Sequence, residues 1–189
     1  MVDENKVAWH AGKSKWKKIK SLNKYSIGIE ISNPGHNNKY KQFKKKQIYS
    51  LFSLITELKK KYRLKNKNIL GHSDIAPYRK MDPGKTFPWT KLSNLNLSYN
   101  PKKVSLKESK KIRMWFKKNK IYSNKNKILI MLNFIGYDIS KSINNQHSYK
   151  SLINNYKNHY LQKSNTKYSN TNLSNSIEKH FCSLLLTKT

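Results

Sequence analysis

His72 and Asp82 are the residues of this chain whose types and spacing could do chemistry. Both stand in one short stretch, Gly71-His72-Ser73-Asp74-Ile75-Ala76-Pro77-Tyr78-Arg79-Lys80-Met81-Asp82-Pro83-Gly84. An imidazole and a carboxylate are both donors that a zinc ion accepts. Pro77 and Pro83 stiffen the loop between them, because proline fixes φ. In extended chain, residues two apart face the same side. Lys80 and Asp82 therefore face one cavity, the first as a fixed positive charge and the second as a metal ligand. Spacing alone leaves another reading open, a polar surface turn in which His72 caps a strand and Asp82 caps a helix.

The elements that must position this loop are legible on either side of it. Tyr25-Ser26-Ile27-Gly28-Ile29-Glu30-Ile31 alternates, with the isoleucines on one face and Gly28 and Glu30 on the other, which predicts a strand. Asn33-Pro34-Gly35 ends it as a turn. From Gln47 to Tyr62 the apolar positions Ile48, Leu51, Ile55, Leu58 and Tyr62 recur at three and four, the pattern of an amphipathic helix. Ile69-Leu70 then reads as a short strand leading into the His72 loop. Two strands around a helix make an α/β unit, with chemistry on the loops at strand ends.

Residues 87–107 carry Pro88, Pro101 and many Ser and Asn with little periodicity, and read as a boundary. Beyond it the pattern turns helical. Lys107 to Asn119 is basic and helical, and Ile128 to Ile135 stops at Gly136, a good helix C-terminal residue. Further apolar stripes run through Tyr149, Leu152, Ile153, Tyr156 and Tyr160, and through Leu173, Ile177, Phe181, Leu184 and Leu185. The expected organisation is a domain over residues 1–105 and a small three-helix module over 106–189.

Composition narrows the function classes. Over 189 residues, 36% are hydrophobic, and no run approaches the ~18 apolar residues that cross a bilayer. The opening residues Met1-Val2-Asp3-Glu4-Asn5-Lys6 do not read as a secretory signal. Cys182 is the single cysteine, which excludes an intrachain disulfide framework and a Cys-rich zinc site. A net charge of +31, from 40 Lys+Arg against 9 Asp+Glu, raises nucleic acid or an anionic wall or membrane surface as partners. The lysines are scattered through every segment, so a compositional bias over solvated positions is favoured and no specific nucleic-acid partner is expected.

Taken in order, Ala8-Trp9-His10-Ala11-Gly12, Ser14 and Trp16, Leu22-Asn23, Ser26-Ile27-Gly28-Ile29-Glu30, Asn33-Pro34-Gly35-His36, Gly71-His72-Ser73-Asp74-Ile75-Ala76-Pro77, Arg79-Lys80, Asp82-Pro83-Gly84 and Phe87-Pro88-Trp89 resemble a known family. It is the zinc-dependent N-acetylmuramoyl-L-alanine amidases of the AmpD and AmiD type, relatives of the peptidoglycan recognition proteins. The resemblance covers roughly residues 1–92. More loosely, Phe134-Ile135-Gly136-Tyr137 and Tyr156 with His159-Tyr160 are similar to the peptidoglycan-binding helical module of some members.

The resemblance implies an α/β fold, a central mixed sheet with helices packed on it and a zinc cleft on one side. It implies Zn2+ held by two histidines and an acid or cysteine, of which His72 and Asp82 match the second and third ligands. The family's first histidine lies on a strand that would precede Val2. The expectation is that the start codon stands too late, ahead of a decayed gene or the recruitment of His10 or His36 as a ligand. A catalytic zinc takes three protein ligands and a water, so two ligands alone would bind it weakly.

The activity implied is hydrolysis of the amide between a muramic acid lactyl group and L-alanine. Zinc lowers the pKa of its water to about 7 and polarises the carbonyl. By position in the pattern Glu30 is the general base, a role worth ~10²- to 10⁴-fold, and Lys80 stabilises the oxyanion. Trp9, His10 and Asn33 line the cleft for glycan or stem peptide, while His147, His159 and His180 read as surface or packing histidines. The alternative is a non-catalytic peptidoglycan binder with the helical tail supplying affinity. The expected protein is a monomer of the cell envelope, or cytoplasmic if it serves muropeptide recycling.

Overall fold

In the computed structural model, which describes residues 2–35, 41–162 and 170–186, the three-and-four spacing builds helix α1 (Lys45–Tyr62). Its inner face buries Ile48, Leu51, Ile55 and Leu58. Each such side chain contributes about 1.5–3 kcal/mol on leaving water. At its start the Lys44 N–H donates to Gln47 Oε1 at 3.2 Å, and at its end Arg63 turns left-handed with φ 50°. Phe87, Trp89, Leu92 and Leu97 complete this smaller core. The 87–107 stretch is thus no bare linker, since it carries helix α3 (Trp89–Asn94) and packs on α1.

Residues 25–31 do not form the expected strand. Strands β1 (Lys15–Trp16) and β2 (Ile19–Lys20) pair antiparallel as the single sheet among the described residues. Ile27 and Ile29 remain exposed at 41% and 37%. Alternation is a local property, but a strand is held by a neighbour's N–H and C=O groups. No described segment gives residues 26–31 a backbone ladder. The central mixed sheet is therefore confined, among the described residues, to the β1–β2 hairpin. Ile69-Leu70 likewise has no ladder, and the loop after it begins as a single helical turn, α2 (His72–Ile75).

Among the described residues the tail holds four helices, one for the basic segment and one for each of the three apolar stripes: α4 (Leu106–Lys118), α5 (Asn124–Ile135), α6 (Gln146–Tyr160) and α7 (Asn170–Leu186). Their starts follow local chemistry. Ser105 and Glu108 form a capping box on α4, with the Ser105 N–H donating to Glu108 Oε2 at 2.8 Å. Ser123 and Asn145 accept from backbone N–H groups to start α5 and α6. Gly136 closes α5 as the sequence predicts.

The larger core ignores the expected boundary. Ala11, Trp16 and Leu22 pack in one cluster with Phe116, Leu132, Tyr137, Leu152, Tyr156 and Ile177. Trp16 meets Tyr137 edge-on at 5.0 Å between ring centres. The Lys17 N–H donates to the Gly136 carbonyl at 2.7 Å. Gly136 has φ +143°, and a Cβ there would lie 2.5 Å from Trp16 Cε2.

Asp74 ties these parts together from the second half of α2. Its carboxylate is fully buried. Oδ2 accepts from the Gly71 N–H at 2.7 Å and from His159 Nδ1 at 2.7 Å, and Oδ1 accepts from the Tyr137 hydroxyl. Two further bonds brace the same loop. Asn155 Nδ2 donates to the carbonyls of Pro77 and Lys80 at 3.0 and 3.1 Å, and the Tyr78 hydroxyl donates to the Asp138 carbonyl at 2.7 Å.

Replacing Gly136 with alanine should cost about 1–3 kcal/mol, by backbone strain and the clash with Trp16, read as a lower thermal midpoint. Asp74→Ala strands the partners of a buried charge and should cost about 3–5 kcal/mol in denaturant titration. A third expectation concerns acid. Burial holds the His180 imidazole down to about 3, with the neighbouring His159 adding to the effect. The unfolded chain takes up that proton first, so this contribution is whole above pH ~6.5. It should shrink by about 1.4 kcal/mol per pH unit toward pH 3. His180→Leu should flatten that part of the stability-against-pH curve.

Candidate functional site

His72 is the first residue of α2 and Asp82 lies past the Pro77 turn, yet the chain folds back to join them. The Ser73 N–H donates to the Asp82 carbonyl at 2.9 Å. This return places His72 Nδ1 3.0 Å from Asp82 Oδ2. Gly71 makes room for it, because a Cβ there would lie 2.9 Å from Pro83 Cδ. The imidazole is mostly covered and the carboxylate half open, at 19% and 50% exposure. Partial burial pushes the Asp82 carboxyl up. The His72 hydrogen bond, its own backbone N–H and the charges of His72 and Lys80 outweigh that and hold it below its ordinary value. The Lys80 charge is the smallest of these contributions.

The other edge of His72 faces Arg79, a residue the sequence analysis assigned no part. Arg79 Nη2 lies 2.8 Å from the Ala11 carbonyl, 3.3 Å from the Lys13 carbonyl and 3.3 Å from His72 Nε2. His72 Nε2 also lies 3.2 Å from the Ala11 carbonyl, so this ring edge meets both a guanidinium and a carbonyl oxygen. The Ala11 carbonyl is aimed here by Asn23, whose Oδ1 accepts from the N–H groups of Ala11 and Gly12 at 2.7 and 3.2 Å. Gly12 sits left-handed at φ +56° with Arg79 Nη2 close to where a Cβ would stand. Local signals for Asn23 and Gly12 exist in the family-like pattern, but nothing local marks Arg79 as the partner of a carbonyl so distant in sequence.

The remaining candidates lie apart from this pair. Glu30 is exposed, and no hydrogen bond or ion pair joins it to His72 or Asp82 among the described residues. Trp9 is 90% exposed. His10 Nε2 stands 2.9 Å from Ser26 Oγ, and the ring packs so close on Gly28 that a Cβ there would sit 2.5 Å away. The Asn33 side chain holds its own turn, donating to the Lys41 carbonyl at 3.1 Å and accepting from the Gly35 N–H at 3.0 Å. His36 falls outside the described residues. His147 is exposed, whereas His159 and His180 are buried.

Zn2+, implied by the resemblance, can be tested against these donors. His72 and Asp82 are two donors that zinc accepts. No third His, Cys, Asp or Glu joins them among the described residues. A catalytic zinc takes three protein ligands. The Arg79 cation at 3.3 Å from His72 Nε2 further opposes a second positive charge on that edge. The pair as described therefore falls short of the donor set this ion needs.

Comparisons with known proteins meet this geometry. A family model described as N-acetylmuramoyl-L-alanine amidase matches residues 1–85. The amidase AmiD of Escherichia coli K12 is 39% identical over 106 residues, covering 53% of this chain and 38% of that protein. The 1,6-anhydro-N-acetylmuramyl-L-alanine amidase AmpD of Haemophilus influenzae is 39% identical over 89 residues, 47% of this chain and 46% of its own. The chain thus spans less than half the length of both. The crystal structure of AmpDh3 from Pseudomonas aeruginosa superposes with TM-score 0.76 at 26% identity, covering 95% of this chain and 70% of that one. AmiD of E. coli, in complex with anhydro-N-acetylmuramic acid-L-Ala-D-gamma-Glu-L-Lys, gives 0.75 at 26% identity, with 100% and 71% covered. The tail helices are thus included in a fold shared with these amidases, the modest sheet notwithstanding. Segment 1–85, which carries the His72–Asp82 loop, thus matches the N-acetylmuramoyl-L-alanine amidase model, and the fold as a whole is similar to amidases of the AmiD and AmpD type.

Proposed function

We propose that this protein is a hydrolase of the amide between N-acetylmuramic acid and L-alanine in muropeptides or peptidoglycan. The observation that carries the reading is the His72–Asp82 pair, 3.0 Å apart in a braced loop inside the segment that matches the amidase family. A similar fold in AmiD is seen with a muropeptide substrate. Zn2+ is the proposed cofactor, with His72 and Asp82 as two of its ligands and a third donor beyond this pair.

The chain's own residues then have distinct tasks. Lys80 supplies fixed charge beside Asp82 for the oxygen of the scissile amide as it turns anionic. Glu30 takes the proton of the attacking water as general base. Trp9 offers an open ring, and His10 and Asn33 polar edges, to glycan or stem peptide. A part in wall binding is proposed for the tail, over which the match to solved amidases extends, covering 95% and 100% of this chain. The envelope is the proposed compartment, and no described helix is long and apolar enough to cross a membrane.

A second reading has its own observation. Among the described residues the donors stop at two, and Arg79 stands at the free edge of His72. That arrangement suits a protein that binds muropeptide without cutting it.

Digestion of purified muropeptides with added zinc separates the two. The amidase reading expects stem peptides with free L-alanine amino termini, release blocked by a chelator, and a loss of at least about 100-fold in Glu30→Gln or Lys80→Ala while the fold survives. Retention on cell-wall sacculi with no release at any zinc concentration refutes turnover and leaves the binder.

A further inference from the structure

Asn155 stands on α6 at 3% exposure, with the buried Leu152 and Tyr156 as helix neighbours. An amide is an unfavourable choice for that place. Asparagine forms helix less readily than leucine or alanine, and a buried polar side chain is tolerated only where its hydrogen bonds are met. The groups that meet them belong to the loop of the candidate site. Asn155 Nδ2 donates to the Pro77 carbonyl at 3.0 Å and to the Lys80 carbonyl at 3.1 Å. Carbonyl oxygens only accept, so these partners identify that end of the amide as its NH2.

The consequence falls on Lys80, which is partly buried. Its own N–H donates to the Ala76 carbonyl at 3.0 Å, while its C=O is the one that Asn155 holds. The planar peptide units on both sides of its Cα are therefore pinned, and its φ and ψ with them. Those two angles fix the direction in which the side chain leaves the backbone. Two residues on, the Asp82 carbonyl is held by the Ser73 N–H at 2.9 Å.

The same helix grips the other end of the loop. His159 follows Asn155 by four residues and so shares its face of α6, and His159 Nδ1 meets Asp74 Oδ2 at 2.7 Å. Gln162, just past the end of α6, makes a second amide clamp, donating through Nε2 to the carbonyls of Lys85 and Phe87 at 3.1 and 2.6 Å. Its bonds fall beyond Lys80 and Asp82. The two clamps are thus alike in chemistry and differ in what they hold.

We propose that Asn155 is a positioning residue for the amide hydrolysis, aiming the Lys80 ammonium at the developing oxyanion through the Lys80 carbonyl. This rests on the reading of Lys80 as the cation that stabilises that oxygen. α6, which lies beyond the matched segment 1–85, then belongs to the working geometry of the site as well as to the tail. A catalytic group displaced by about 1 Å loses on the order of 10²-fold in rate.

The test compares the parent chain with Asn155→Leu, Asn155→Ala and Gln162→Ala in the zinc-supplemented muropeptide digestion. Leucine is close to asparagine in shape and removes both donors, so it keeps the packing where alanine leaves a gap. Loss of the clamp should lower kcat about 10- to 100-fold with KM within about twofold. Gln162→Ala also removes two bonds to loop carbonyls, yet its kcat should stay within about twofold of the parent's. In a Lys80→Ala background the Asn155 changes should add no further loss, because Asn155 acts only through that side chain. In the metal-free chain the Lys80 amide should exchange with solvent at least about tenfold faster in Asn155→Leu than in the parent. An unchanged kcat in Asn155→Leu, an equal loss in Gln162→Ala, or full additivity with Lys80→Ala overturns the positioning role and leaves the amidase reading standing. A parent chain that releases no stem peptide at any zinc concentration defeats the amidase reading and this role together.

Discussion

A carboxylate with no access to water governs this molecule. Asp74 is encircled by the Gly71 N–H, the Tyr137 hydroxyl and His159 Nδ1, donors drawn from its own loop, from the residue after Gly136 and from α6. A buried charge is tolerable only when its lone pairs are met, and here each donor comes from a different part of the chain. The loop bearing His72 can thus take its observed position only when the tail helices are in theirs. That dependence explains why the larger core runs from Ala11 to Leu184 without a seam at the expected boundary.

The same coupling sets the precision of the candidate site. His72 opens the short helical turn that Asp74 anchors, Asn155 on α6 holds the carbonyl of Lys80, and Tyr78 reaches the carbonyl of Asp138. From the other side, Asn23 aims the Ala11 carbonyl at Arg79, which lies against His72. The loop that carries the pair is held from behind by amide and phenol hydrogen bonds. Arg79 occupies the very edge of the imidazole that a cation would approach. Its charge and the donor count bear on the choice between a cutting and a binding protein more directly than any global feature.

Charge plays a divided role. The excess of lysine gives a strongly basic surface, yet the inner polar network runs on a few neutral and acidic groups. A cavity beside α3 and α6 has no lysine or arginine in its lining. A compositional drift toward lysine is tolerated where side chains meet water and resisted where desolvation would penalise the charge.

Much was legible locally. The spacing of Ile48, Leu51, Ile55 and Leu58 determined α1, Gly136 marked the end of α5, and the 71–84 loop brings His72 and Asp82 within 3.0 Å of each other. These depend on periodicity, turn chemistry and short spacing, which a chain carries without reference to its distant parts. The tertiary structure alone decided the rest. Residues 25–31 alternate like a strand but have no ladder partner among the described residues, because pairing belongs to two segments and not to one. His159, read as a packing histidine, joins Asp74 across 85 positions, and Arg79 reaches the Ala11 carbonyl across 68. No local pattern encodes who meets whom at such separation, since that outcome follows from which apolar faces bury against one another first.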